Sequence, residues 1–190
     1  MTAGMPDDDP GWGKPHEILL GLVPGVMARR AARSSSPLAM LRSVFSSFVL
    51  ALVLYGVVLV FIDLGGASDE PPGVSTGSAV AGVALIGVVL VALSARIGGA
   101  PTCGTPAELV GRYRTRFFLR VACAEAAALV GFVASFLCEN VVAYFVGMAL
   151  ALVGFAWLAP TRAHLQREDE HLRAINCPAS LYAALSGRPQ

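Results

Sequence analysis

Apolar positions along this 190-residue chain gather into four long blocks, and short polar segments between them hold nearly every charge. The blocks cover residues 43–63, 78–96, 117–137 and 141–159. Each is close to the ~20 residues that an α-helix needs to cross the ~30 Å apolar core of a bilayer. Inside that core every backbone N–H and C=O must be satisfied within the segment, which favours helices. The pattern therefore predicts an all-α fold, an integral membrane four-helix bundle with amphipathic cytosolic helices at both ends. It divides the chain into a tail with an interfacial segment (1–37), a four-span transmembrane domain (38–160) and a helical tail (161–190).

The segments between the blocks refine this. In 16–33, Ile18, Leu19, Leu22, Val23, Val26 and Met27 fall at helical spacing ahead of Arg29, Arg30 and Arg33, predicting a helix on the membrane face, broken at Pro24. Residues 1–14, with Asp7, Asp8 and Asp9 in a row, have neither the basic start nor the apolar run of a signal peptide and read as a disordered cytosolic tail. The stretch 63–77 holds two adjacent prolines and reads as an exposed loop. The stretch 98–116 reads as a second loop, in which Pro106 and Glu108 start a short surface helix. Cys138, Glu139 and Asn140 reverse the chain, with Asn140 placed to cap the next helix, so the third and fourth spans form a tight antiparallel hairpin. Tyr144 and Trp157 sit near opposite ends of the fourth span, as interfacial aromatics do, and Pro160 marks its exit. Mixed charges at helical spacing over 161–175 end at Asn176 and Pro178, and a short apolar piece follows around Leu181, Tyr182 and Leu185.

Composition sharpens the class: 55% hydrophobic against 14% charged residues is far from a soluble domain. Fourteen residues are basic, and only Lys14 is a lysine, an arginine bias that fits a GC-rich bacterial genome. All fourteen lie before the first block, around the turn from the second to the third, or after the fourth, and the two opposite connections hold none. The positive-inside rule then places both termini in the cytosol of a multi-pass protein of the bacterial plasma (inner) membrane. The net charge of +1 gives no reason to expect a nucleic-acid partner. The expected partners are the lipid bilayer and either other membrane subunits or a second copy.

One residue breaks the apolar pattern. Glu125 lies eight positions into the third block, roughly 12 Å from its start at ~1.5 Å per residue and so near mid-bilayer. A charge there costs about 2.5–3.5 kcal/mol on insertion scales. Such a carboxyl is expected to be uncharged or paired across helices, and Tyr55, near the middle of its own span, is the candidate hydrogen-bond partner. Arg120 is a poor intrahelical partner five positions away, and its long side chain can reach the interface instead.

The run Ala124-Glu125-Ala126-Ala127-Ala128-Leu129-Val130-Gly131-Phe132-Val133 resembles the carboxylate-bearing second helix of the proteolipid c subunits of rotary ATPases. The order is similar as well: a Gly/Ala-containing helix, an arginine-bearing loop, then the acidic helix. The likeness covers residues 78–137, about a third of the chain, and implies that Glu125 corresponds to the ion-binding carboxylate. The chain differs from that family in its additional spans, its long basic tail and the absence of an Arg-Gln-Pro type loop.

Other patterns carry less. Gly73-Val74-Ser75-Thr76-Gly77 matches GxSxG, but a nucleophile elbow needs a preceding strand and a histidine in reach, and His16, His164 and His171 lie on the opposite membrane side. A loop that caps the second span is expected there instead. His164, Glu168 and His171 share a helical face, with Cys177 as an outlying ligand, yet neighbouring charges point to a solvated surface, so no metal site and no cofactor are expected. The four cysteines, at 103, 123, 138 and 177, form no CxxC pair and are expected to act as small apolar residues. Ala127/Gly131/Ser135 and Ala143/Gly147/Ala151 repeat every four residues and are expected to be helix-packing faces, within the hairpin or against a partner. No catalytic set emerges. The leading functional reading is a non-enzymatic assembly or accessory component of a membrane complex, and the alternative is a proton- or ion-translocating module using Glu125 with Tyr55.

Overall fold

A computed structural model describes residues 37–65, 74–99 and 102–186. The expected interfacial helix at 16–33 and the acidic tail before it lie outside the described residues. Six helices follow one another: α1 (Pro37–Gly65), α2 (Thr76–Arg96), α3 (Pro106–Leu137), α4 (Val142–Leu158), α5 (Arg162–Ala174) and α6 (Leu181–Ser186). Among the described residues there is no strand. Three helices, α1 to Asp63, α2 and α3, are long and apolar enough to cross a membrane; a fourth crossing is present if α4 and α5, bent by 52° at their junction, count as one span. Alone, α4 has 17 residues, about 26 Å at ~1.5 Å per residue, at the lower edge of what a bilayer requires.

The largest departure from the expected boundaries is α3. The stretch 98–116 was expected to be a loop with a short surface helix, but that helix continues without interruption into the third span, giving 32 residues. A capping box starts it: Glu108 N donates to Thr105 Oγ1 (3.4 Å), Thr105 N donates to Glu108 Oε2 (3.0 Å), and Pro106 occupies the first turn. No proline follows, and the buried positions Leu109, Tyr113, Phe117, Val121, Ala124, Ala128, Gly131 and Ser135 keep one unbroken helical register from the polar end to the apolar one. Residues 106–116 thus extend the span by roughly 16 Å.

At the other end Glu139 adopts φ 49° and Asn140 Oδ1 accepts from Val142 N (2.9 Å), which closes the α3–α4 turn where it was expected. The two small-residue stripes then face each other, and all six of their residues are buried. A Cβ added at Gly131 would lie 2.7 Å from Ala143 O and 3.3 Å from Gly147 Cα, so the helices touch backbone to backbone. Along the same pair α2 packs with Gly87 under Leu150 and Val91 against Gly154. Ser75 caps α2, accepting from Ser78 N (3.3 Å), which absorbs the GxSxG serine into a helix start.

Against this three-helix core α1 makes fewer contacts, with α3, α4 and α6. The Tyr144 hydroxyl donates to Leu52 O, and Gly56 lets the tyrosine ring lie close to the α1 backbone. Tyr144 was expected at the membrane interface; it is fully buried, because its hydroxyl finds a carbonyl in the neighbouring helix. Trp157 remains exposed. Phe45 packs between Phe117 and Phe155, with centroids 6.0 and 5.5 Å away.

The tail folds back onto the polar end of α3. Thr161 caps α5, Asn176 leaves it at φ 55°, and buried Asp169 accepts from Ser180 Oγ (2.8 Å) and Leu181 N (2.6 Å) to start α6. Leu165, Leu172, Leu181 and Leu185 join the core cluster that holds Leu38, Leu41 and Leu109. One expectation is overturned here: Cys103 and Cys177 form a disulfide, with Cα atoms 5.5 Å apart across a sequence separation of 74. Sequence spacing could not show this pairing because the tail's return brings the two loops together. Closing a loop of that length is worth about 4 kcal/mol in the chain-entropy account.

Replacing Gly131 with Leu should destabilise the protein by about 1–3 kcal/mol or more, because the atom displaced is backbone and cannot rotate away. Gly82→Leu, where an added Cβ meets nothing within 4 Å, should leave thermal unfolding in detergent unchanged. Equal melting temperatures for the two variants would show that the α3–α4 contact is not what holds the core.

Candidate functional site

Glu125 sits half-buried on α3, on the flank shared by Phe118 and Phe132, seven positions to either side. Among the described residues it makes no hydrogen bond or ion pair. Tyr55, its candidate partner, instead lays its ring against Phe132 with centroids 5.7 Å apart. Seven residues separate Phe132 from Glu125, roughly 10 Å along the helix, so the structure does not bring the two candidate site residues together. The other sequence-derived positions, Ala127, Gly131, Ser135, Ala143, Gly147 and Ala151, are brought together as the α3–α4 contact and offer no polar chemistry to Glu125.

The polar groups that do converge lie at the arginine-rich end. Arg116 Nη2 pairs with Glu168 Oε2 on α5 (2.8 Å), and Arg116 Nη1 donates to Gly99 O (3.1 Å). One helical turn further along α3, Arg120 Nε donates to Ile97 O (2.8 Å), the residue that ends α2. These bonds satisfy carbonyls at the end of α2 with positive charge, where the helix dipole favours it. Arg42, buried on α1, donates to Pro160 O (3.4 Å) at the exit of α4. Arginines from α1 and α3 therefore tie the ends of α2, α4 and α5 together. Sequence reading had assigned Arg120 to the interface and had no signal for the Arg116–Glu168 pair, which depends on α3 reaching far enough to meet the returning tail.

Tyr113 lies one turn before Arg116, whose guanidinium is 5.7 Å from the tyrosine ring centroid. The Tyr113 hydroxyl is buried and has no hydrogen-bond partner among the described residues. Next to its ring an open cleft of about 580 Å³ lies between the first turns of α3, Gly98, Thr102 and the tail helices. The face once considered for a metal is otherwise committed: Glu168 is paired with Arg116, Cys177 with Cys103, and His171 is exposed. No group of three or more His, Cys, Asp or Glu among the described residues could hold a metal ion.

His164 Nε2 is 3.9 Å from Glu168 Oε1. Burial, with Arg120, Arg116 and Arg167 nearby, holds the imidazole below its ordinary pKa, and Glu168 opposes the shift only in part. The unfolded imidazole titrates near 6.5. Because the docked form resists the proton, tail docking is at full strength above that pH and weakens as the pH falls below it. Hydrogen-exchange protection over 162–174, corrected for the intrinsic pH dependence of amide exchange, should fall between pH 7.5 and 5.5, and His164→Asn should flatten that dependence. An unchanged pH profile in the variant would assign the effect to other groups. No protein family, curated sequence or solved structure matches this chain.

Proposed function

We propose that the chain is a four-span protein of a bacterial plasma membrane, with both termini cytosolic, that serves as a non-enzymatic assembly or accessory component of a membrane complex. The carrying observation is the outward face of α1 and α2. Along α1, Val53, Leu54, Val57, Val58 and Phe61 are exposed, and along α2, Leu85, Ile86, Val88 and Val89 are exposed beside the open notch at Gly82. Lipid covers such a surface, and a partner helix covers it equally well where small residues allow close approach.

Orientation rests on the arginines. In sequence all fourteen basic residues fall in the segments before the first block, around the turn from the second to the third and after the fourth, and each is worth about 1 kcal/mol against an anionic cytoplasmic leaflet. The Cys103–Cys177 disulfide joins two of those same segments, although stable disulfides belong to oxidising compartments. Fourteen charges against none outweigh a pair that the cytosol can hold as thiols, so the bond is one that forms when the cytosol is oxidised. In intact growing cells a membrane-impermeant maleimide should label Glu139→Cys in the exposed α3–α4 turn, while Cys103 and Cys177 stay unlabelled and are recovered as free thiols on lysis under acid trapping. Constitutive oxidation of the pair, with Glu139→Cys protected, would invert the topology.

A second reading has its own observation: Glu125, half-buried in the span with no partner among the described residues, corresponds to the ion-binding carboxylate under the c-subunit resemblance. Proton or ion translocation would then run through it. Glu125→Gln keeps shape and hydrogen bonding but has no proton to release. On the accessory reading the wild type migrates in mild detergent as a complex larger than its 19.7 kDa, and Glu125→Gln leaves both complex and phenotype intact. If Glu125→Gln and Glu125→Leu abolish function alike while the complex still forms, the translocation reading replaces it.

A further inference from the structure

We propose that the cleft at the arginine-rich end is a binding site for the phosphate headgroup of an anionic phospholipid. Its walls change character along its depth. Arg112 and Thr102 stand on the aqueous side, Tyr113 and Arg116 in the middle, and Leu119 at the membrane side, where it is exposed. Leu119 lies just past Phe117, where the apolar block of α3 begins, so the cleft straddles the level at which headgroup meets hydrocarbon. Its volume of about 580 Å³ falls within the ~300–1,000 Å³ usual for small-ligand sites.

The charge pattern selects the occupant. Arg112 and Arg116 line the cleft, with Arg114 and Arg120 adjoining them on α3, against two carboxylates: Glu108, which lines it, and Glu168 on α5, which faces Arg116. Glu168 is held by Arg116, and Glu108, which also lines the cleft, accepts from Thr105 N in the capping box. Arg112 makes no ion pair among the described residues; its Nη1 donates to Thr102 Oγ1 (2.7 Å), which leaves the rest of the guanidinium fork for a phosphate. Tyr113 contributes its ring to the same wall, while its hydroxyl is buried behind it. A zwitterionic headgroup would bring its own cation toward this arginine cluster, whereas phosphatidylglycerol brings phosphate and hydroxyls alone. The acyl chains leave past Leu119 into the bilayer. A lipid seated there would touch α3, Gly98, Thr102 and Leu181 of α6 at once and would strengthen the docking of the tail. The inference rests on the chain spanning the bilayer and on nothing about its protein partners.

The test uses the full-length chain in nanodiscs and by native mass spectrometry after mild detergent extraction. Wild type should retain phosphatidylglycerol at least about tenfold more strongly than phosphatidylcholine and melt at higher temperature in phosphatidylglycerol discs. Arg112→Gln, at an exposed position, should lose that preference, while Arg173→Gln, exposed on α5 and outside the cleft, should keep it. Thr102→Val removes the hydroxyl that holds Arg112 and should weaken retention severalfold, a check that does not alter charge. Equal retention of the two lipids by wild type, or an unchanged preference in Arg112→Gln, would overturn the proposal. So would a melting increase fully reproduced by millimolar inorganic phosphate in phosphatidylcholine discs, which would make this a soluble-anion site.

Discussion

Lipid offers no hydrophobic drive for one helix to associate with another, so the core of this protein depends on how closely two backbones can approach. Gly131 and Gly147 provide that approach. At the point where α3 and α4 meet, the partner of each glycine is backbone rather than side chain, and the small residues one turn away on either side keep the contact continuous. The turn at Glu139 and Asn140 holds the pair in register, and α2 rests on both helices through Gly87 and Gly154. Larger side chains here would separate the helices and also remove the shelf on which α2 lies.

The length of α3 carries the consequences of that packing out of the bilayer. Because the helix does not stop at the interface, its polar turns present Tyr113, Arg116 and Arg120 to the ends of α2 and to the returning tail. Arginine serves here as a tie: its guanidinium reaches carbonyls that a helix end leaves unsatisfied while pairing with a carboxylate on another element. Arg42, Arg116 and Arg120 thus hold the folded ends together, through Pro160, Glu168, Gly99 and Ile97. α1 is attached through the buried Leu38, Leu41, Leu52 and Leu59 together with the contacts of Tyr144, Phe45 and Arg42.

Much of this was legible in the sequence where the signal is local. Apolar block length predicted the membrane-length helices, Asn140 and Pro160 marked the turn before α4 and its exit, and Asn176 marked the end of the tail helix α5. Features that depend on where the chain returns were not legible. The Cys103–Cys177 bond joins loops 74 residues apart, Tyr144 is buried by a carbonyl on α1, and Glu168 finds Arg116 only because α3 begins at Pro106. At 98–116 the expected short surface helix at Pro106 and Glu108 was located correctly but its continuation was not: no proline or glycine cluster stops it, arginine is a good helix former, and the helix runs on into the third span.

Glu125 remains the residue that packing does not explain. A core held by glycine and alanine contacts has no structural need for a carboxyl on the flank of α3, and Gln or Ala there would cost the hairpin nothing that its contacts reveal. Its hydrogen-bonding capacity is unmet among the described residues, in a setting where an unmet polar group costs several kcal/mol. Two arrangements remove that cost. Either a group outside the described residues, a partner helix in the accessory reading, reaches the flank between Phe118 and Phe132, or an ion or water occupies it, as the translocation reading requires. Both place the occupant on the flank of α3 that carries Phe132, whose ring meets Tyr55 of α1, and not in the tightly packed α3–α4 hairpin.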